Sequence, residues 1–175
     1  LTPVEEKTDP KAAGEELVLR TATAEDGAAI WQLVHDSGVL DVNSPYCYLI
    51  LGRHFGDSCV VAEEAGKVLG FVVAYRPPTK PDVIFVWQVG VDAAARGRGL
   101  GGRILRRLVE LPACRGVRYV EATVSPSNEP SKALFRSLAR RLDTRCEESP
   151  YFGADLFPGS DHEREDLFRI GPFEL

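Results

Sequence analysis

Val83 to Val91 are almost unbroken apolar residues, and a few positions later Leu100, Ile104, Leu105, Leu108 and Leu111 recur at helical spacing. A strand of that composition needs cover on both faces, and a helix with one apolar stripe must lay it on a partner layer. The chain is therefore committed to a layered fold in which strands and helices share a core. Between the two segments lies Arg96-Gly97-Arg98-Gly99-Leu100-Gly101-Gly102. Glycines let backbone amides turn inward, and a helix start adds unpaired N–H groups and the positive end of the helix dipole. Arginines interleaved with glycines at such a start make a cradle for a pyrophosphate.

The remaining elements follow from period and punctuation. Leu17 to Thr21 alternates as a strand, and Thr23-Ala24-Glu25-Asp26 opens a helix with the stripe Ile30, Leu33, Val34, ended by Gly38. Ser44 and Pro45 start a second helix carrying Tyr46, Leu49 and Ile50. Ser58 to Glu63 and Val68 to Tyr75 are strands around a hairpin turn at Glu64 to Lys67. Arg76 to Asp82 contains three prolines and cannot be strand interior. After the helix at Leu100 come a strand at Val117 to Val124, a loop at Ser125 to Asn128 and a helix at Glu129 to Leu142. The last thirty-odd residues read as a strand, a long acidic loop and a closing strand near Leu167 to Ile170. This order predicts one α+β domain over residues 16–175, behind a flexible leader at residues 1–15.

Composition narrows the function classes. With 175 residues the chain suits one core. A net charge of -5 and a pI near 5.3 argue against general binding to a phosphate backbone. Cys47, Cys59, Cys114 and Cys146 lack metal or redox spacing and read as packed free thiols, so no metal is expected. No apolar run approaches a bilayer span, and Leu1 to Lys11 is charged, unlike a secretory signal. A soluble, cytoplasmic protein without membrane or nucleic-acid partners is the expectation.

Gly97, Gly99 and Gly102 also fit a dinucleotide fingerprint, but the context is wrong for an oxidoreductase. A hairpin precedes the loop, Asp92 to Ala95 separates strand from glycine, and too little chain follows for the repeated units. The phosphate loop of nucleotide hydrolases is excluded because no Lys-Ser or Lys-Thr pair follows the glycines. Arg96-x-x-Gly99-x-Gly101 after a buried strand resembles the acyl-CoA loop of the Gcn5-related N-acetyltransferases, and the resemblance extends over roughly residues 16–175.

That resemblance implies a mixed, mostly antiparallel sheet of about seven strands, splayed at a bulge to form a thioester slot, with about four flanking helices. It implies acetyl-CoA as co-substrate. Val89 and Val91 would offer backbone to the pantetheine arm, and Asn128 would touch that arm. The pyrophosphate would sit in the loop of Arg96 and Gly97, held by the amides of Arg98, Gly99, Leu100, Gly101 and Gly102. Phe135 falls beside the cofactor, where many family members carry a tyrosine acid. Asp41-Val42-Asn43-Ser44-Pro45-Tyr46-Cys47-Tyr48, Gly52-Arg53-His54-Phe55 and Phe85-Val86-Trp87-Gln88-Val89 are similar to one branch of the family. Its members acetylate the side-chain amine of L-2,4-diaminobutyrate in the synthesis of the compatible solute ectoine, which implies a role in osmoadaptation and a homodimer.

Charge speaks to the acceptor independently. In this order of elements, the segment holding Asp41 and the loop holding Asp155, Asp161, His162, Glu163, Glu165 and Asp166 flank the thioester, and an acidic mouth favours a cationic acceptor. Most of these acids read as solvated loop, leaving Asp41, His162 and Glu165 as the acceptor pocket. A primary amine with a pKa of ~10.4 costs roughly 4 to 5 kcal/mol to deprotonate at neutral pH, so a base is required, and Glu165 and His162 are the candidates. Tyr46 would orient the acceptor. Trp87 is either core or an apolar and cation–π surface. With phenylalanine at position 135, the departing thiolate takes a proton from Tyr46, Tyr151 or water, or leaves unassisted. His35 and His54 read as structural. Open alternatives are another small amine, a protein amine, or a non-catalytic acyl-CoA-binding module.

Overall fold

The computed structural model describes residues 16–159 and 161–175, so the leader assigned to residues 1–15 lies outside the described residues. Its elements are β1 (Val18–Thr21), α1 (Gly27–Ser37), α2 (Pro45–His54), β2 (Val60–Glu64), β3 (Lys67–Tyr75), β4 (Val83–Val91), α3 (Leu100–Val109), β5 (Tyr119–Val124), α4 (Glu129–Arg141), β6 (Cys146–Phe152) and β7 (Glu165–Ile170). The seven strands form one sheet in the order β1-β2-β3-β4-β5-β7-β6. Only β4 and β5 pair in parallel; the other neighbours are antiparallel. This is the α+β architecture expected from the sequence, with four α-helices among the described residues.

Two cores sandwich the sheet. On one face α3 and α4 bury Leu100, Ile104, Leu105, Leu108, Phe135 and Leu138 against the sheet. On the other, α1 and α2 bury Ile30, Leu33, Val34, Tyr48 and Leu51 against Val61, Phe71 and Val73. The inward side of α2 differs from the one read in the sequence: Tyr48 and Leu51 point in, while Tyr46 and Leu49 are exposed. Six consecutive apolar or aromatic residues, Tyr46 to Leu51, left several stripes open, and packing on α1 selected this one. The closing strand also starts earlier than expected, so Glu165 and Asp166 are strand residues paired with β5 or β6.

The centre of the sheet is irregular in two linked ways. β4 pairs with β5 only over Val83 to Val86, opposite Tyr119 to Ala122, and beyond that point the strands part. At the same place the β3–β4 register slips: Gln88 opposes Val73 and Val86 opposes Ala74, leaving Trp87 as an extra residue. An extra residue reverses which face later side chains occupy. Ile84 and Val86 pack towards α3 and α4 before the bulge, and Val89 and Val91 do so after it. Trp87 is surface, 37% exposed, which settles against a core role.

All four cysteines are free thiols among the described residues. Burial pushes the Cys59 and Cys114 thiols up to about 11, and the thiolate is the reactive form. Both should therefore resist a disulfide reagent at pH 7.5 in the native protein and titrate only after denaturation. Rapid release of reporter by all four native thiols would contradict this packing.

Candidate active site

Where β4 and β5 part, two cavities meet. The larger, about 610 Å³, lies between Val89 to Val91 of β4 and the start of α4 at Asn128, Ser131 and Leu134, with Arg96 among its lining residues. The smaller, about 310 Å³, is walled by Val86, Trp87, Gln88, Ala122, Thr123 and Phe135. Val39, Leu40, Val89, Ser125, Asn128 and Ser131 line both, so the two spaces adjoin at the splay.

The glycine loop has the geometry of an anion cradle. Gly97 and Gly99 hold φ values of 78° and 68°, and a Cβ on either would meet nothing within 4 Å. Their glycines serve the left-handed backbone, and they face open space. The first bond across the start of α3 runs from Arg103 N to Gly99 O at 3.2 Å, so the amides of Leu100, Gly101 and Gly102 have no partner within the helix. That donor set fits a pyrophosphate. Gly101 fits close packing, since a Cβ there would sit 3.3 Å from Leu134 Cδ1; a Cβ at Gly102 would meet only the movable end of the Arg141 side chain, at 2.9 Å. Leu100 buries its side chain in the core, leaving only its amide for a ligand. Arg98 donates two bonds to Glu64, at 2.6 and 3.1 Å, which tie the loop to β2.

Asn128 caps α4, its Oδ1 accepting from Ser131 N at 3.1 Å. Phe135 is 3% exposed, packs against Phe168 with ring centroids 6.3 Å apart, and brings no hydroxyl to the cavity wall.

The rim of the smaller cavity is acidic. Asp41, Asp161, His162, Glu163 and Glu165 line it, without a lysine or arginine among its lining residues. Four of the residues predicted for the acceptor pocket, Asp41, Trp87, His162 and Glu165, thus come together. Glu165 accepts from Ser125 Oγ at 3.1 Å. The His162 ring stacks on Phe157 at 3.7 Å, and its Nδ1 lies 2.6 Å from the Glu163 carbonyl oxygen. A carbonyl only accepts, so Nδ1 carries the proton and a neutral ring keeps the Nε2 lone pair. The Glu163 carboxylate accepts from the hydroxyl and amide of Ser127, which hold its carboxyl below the usual carboxylate range. That contact links the acidic loop to the turn before α4.

Tyr46 is 68% exposed and lines neither cavity, and exposed Tyr151, stacked edge-on with Phe152, lines neither as well. Asp155 also stands outside the lining, and Asp166 is paired with Arg164 at 2.9 Å. Conversely, Gln88, Thr123, Ser125, Ser131 and Leu40 line the space without having been singled out in the sequence. A glutamine in an otherwise apolar strand was the signal available for the first of them. Among the described residues, no group of three or more His, Cys, Asp or Glu is placed to hold a metal ion.

Comparison with known proteins bears on this site. The model of the acetyltransferase (GNAT) family matches residues 27–139. The L-2,4-diaminobutyric acid acetyltransferase of Halalkalibacterium halodurans is 52% identical over 163 residues, covering 93% of this chain and 86% of that protein. The enzyme of the same name from Bordetella parapertussis is 48% identical over 156 residues, covering 89% and 84%. A solved structure of the diaminobutyrate acetyltransferase from Paenibacillus lautus, in complex with L-2,4-diaminobutyric acid and coenzyme A, superposes with a TM-score of 0.88 at 45% identity, covering 93% of this chain and 98% of the other.

Phe135 occupies the core as much as the cavity wall. Phe135→Ala should lower unfolding stability by about 3 to 5 kcal/mol, the usual cost of emptying such a site, measured by urea denaturation. A loss below about 1 kcal/mol would mean that the ring is not a packing element.

Proposed function

The chain belongs to the acetyltransferase (GNAT) family, and from its similarity to diaminobutyrate acetyltransferases we propose that it moves the acetyl group of acetyl-CoA onto the side-chain amine of L-2,4-diaminobutyrate. The product is N4-acetyl-diaminobutyrate, formed by direct attack in a ternary complex, and the step belongs to ectoine synthesis. The observation that carries this reading is the junction of the two cavities. An amide cradle with Arg96 on one side suits an anion, an acidic rim on the other suits a cation, and the two meet where the sheet opens. The similarity to a relative solved with both diaminobutyric acid and coenzyme A supports the same pairing of ligands.

The amides of Arg98 to Gly102 hold the pyrophosphate, with Arg96 and the Gly97 turn beside it. Val89 and Val91 run along the pantetheine arm on the stretch of β4 that β5 has left, and Asn128 and Phe135 close the other side. The β5-facing backbone of β4 near Val89 is then free to stabilise negative charge developing on the thioester oxygen.

At the acceptor, division of labour resolves a conflict. A carboxylate that pairs with the reacting ammonium raises its pKa and slows attack. Asp41 is assigned to the non-reacting α-ammonium, while the reacting amine lies against Trp87. Glu165, held by Ser125, takes the proton directly or through water, and the Nε2 of His162 is the second acceptor in reach of the same cavity. Tyr46 and Tyr151 stand outside both cavities and Phe135 has no hydroxyl, so we assign protonation of the departing thiolate to solvent.

A small zwitterion is favoured over a protein amine because the acceptor space is a pocket of about 310 Å³ rather than a long groove. We also propose a cytoplasmic homodimer. Its edge strand β6 presents exposed Tyr151 and Phe152, with Leu156 just beyond, a surface that a second copy could cover. No helix among the described residues is long and apolar enough to cross a membrane.

Thiol release from acetyl-CoA should be fastest with diaminobutyrate when compared with ornithine, lysine, spermidine and a peptide, and the product should carry the acetyl group on N4. Coenzyme binding without thiol release across this panel would select a non-catalytic module. Gly99→Val places a branched residue in left-handed backbone, a strain of roughly 1 to 2 kcal/mol, and should raise the KM for acetyl-CoA about tenfold while sparing that for the amine. Asp41→Asn should show the opposite selectivity. Equal effects of either change on both constants would remove that residue from its assigned side.

A further inference from the structure

The acceptor rim depends on a segment, residues 38–44, that has no regular structure, yet Asp41 must be held at one place to select an ammonium. Four polar groups close a ring beneath it. Asn43 Nδ2 donates to Tyr48 Oη at 3.4 Å, and Tyr48 Oη donates to Gln88 Oε1 at 2.8 Å. Gln88 Nε2 donates to the main-chain oxygen of Asp41 at 2.8 Å, which also accepts from Asn43 Nδ2 at 3.3 Å. The direction of the ring is fixed: the Asp41 carbonyl can only accept, so the Gln88 amide must turn its NH₂ that way and its oxygen to the phenol.

Tyr48 is 0% exposed and Gln88 8% exposed. Burial pushes the Tyr48 phenol up, so it remains a donor at working pH. With unbroken alternation through Trp87, Gln88 would share the α3–α4 face of Ile84 and Val86; the bulge turns it to the α1–α2 side, where this ring lies. A glutamine and a tyrosine inside an otherwise apolar cluster are costly unless fully bonded. Apolar residues would fill the same space without that demand, so the pair answers a need for position rather than for stability.

We infer that Tyr48 and Gln88 are positioning residues that set acceptor selectivity, acting through the main chain of Asp41 to aim its carboxylate at the α-ammonium of the diamino acid. The inference rests on the function proposed above. Neither side chain needs to touch the reacting atoms for this role.

Steady-state kinetics of the full chain test it with Tyr48→Phe, which removes one oxygen, and Asn43→Ala, which cuts the ring at its more exposed corner. Both should raise the KM for diaminobutyrate about tenfold, the scale of a lost buried hydrogen bond, with less than about a twofold change in the KM for acetyl-CoA. In an Asp41→Asn background the same changes should add little, because the group they aim is already disabled. Parallel rises in both constants, or full additivity with Asp41→Asn, would overturn the inference and leave the ring a packing device. Should Tyr48→Phe unfold, Asn43→Ala alone decides by the same criteria. Wild-type protein that fails to acetylate diaminobutyrate would instead defeat the functional reading, so the two failures are separable.

Discussion

One surplus residue in the middle of β4 shapes everything around the site. Trp87 has no partner across β3, and where it sits β4 also leaves β5. A regular strand would have kept its ladder to β5 as far as Gln88, which falls opposite Val124 at the end of β5 in the same register, leaving less of the β4 edge open. The bulge instead frees that edge, reverses the side-chain alternation, and sets Trp87 and Gln88 at the acceptor cavity while Val89 and Val91 still reach the α3–α4 core. Bulges beside sites are common because they re-aim side chains at small cost.

The opened sheet then separates two electrostatic environments that would neutralise each other if they were mixed. Uncommitted amides, the helix dipole and Arg96 gather on one side of the gap, and carboxylates gather on the other. Arg98, Arg136 and Arg164 are ion-paired, with Glu64, Glu148 and Asp166 respectively. With no lysine or arginine lining the smaller cavity, the proposed diamino acid would meet an acidic mouth next to an amide-lined loop. Glu163 joins the two halves by holding Ser127 in the turn that lines the larger cavity.

How much of this was legible follows from which signals are local. The glycine loop, the hairpin and the helix at Leu100 are written in spacing, and the order of elements came through intact. Gly97 and Gly99 were readable as conformational glycines, but Gly101 was not: its close neighbour is Leu134, which arrives from another helix. The inward face of α2 was hidden because Tyr46 to Leu51 are all apolar or aromatic, so spacing could not tell that Tyr48 and Leu51 point in while Tyr46 faces outward. The bulge was hidden by the same kind of redundancy. In a strand buried on both faces the alternation is masked, so the shift in register at Trp87 leaves no trace in hydropathy, and Gln88 gave the one polar hint.

Phenylalanine at position 135 also becomes intelligible on energetic grounds. At pH 7 an amine with a pKa of ~10.4 must give up a proton at roughly 4 to 5 kcal/mol, whereas a thiolate whose conjugate acid has a pKa of ~8.5 is only about 2 kcal/mol less favourable than its thiol. In the proposed reaction the heavier demand falls on the side that removes a proton from the acceptor, to which Glu165 and His162 are assigned, and the lighter one on the side that returns a proton to sulfur. A hydroxyl at position 135 would serve the lighter demand. It would also introduce a polar group into a ring site that packs against Phe168 in the core, and a buried hydroxyl needs its own partners. With acid assistance dispensable and packing not, an aromatic hydrocarbon is the better occupant of that wall.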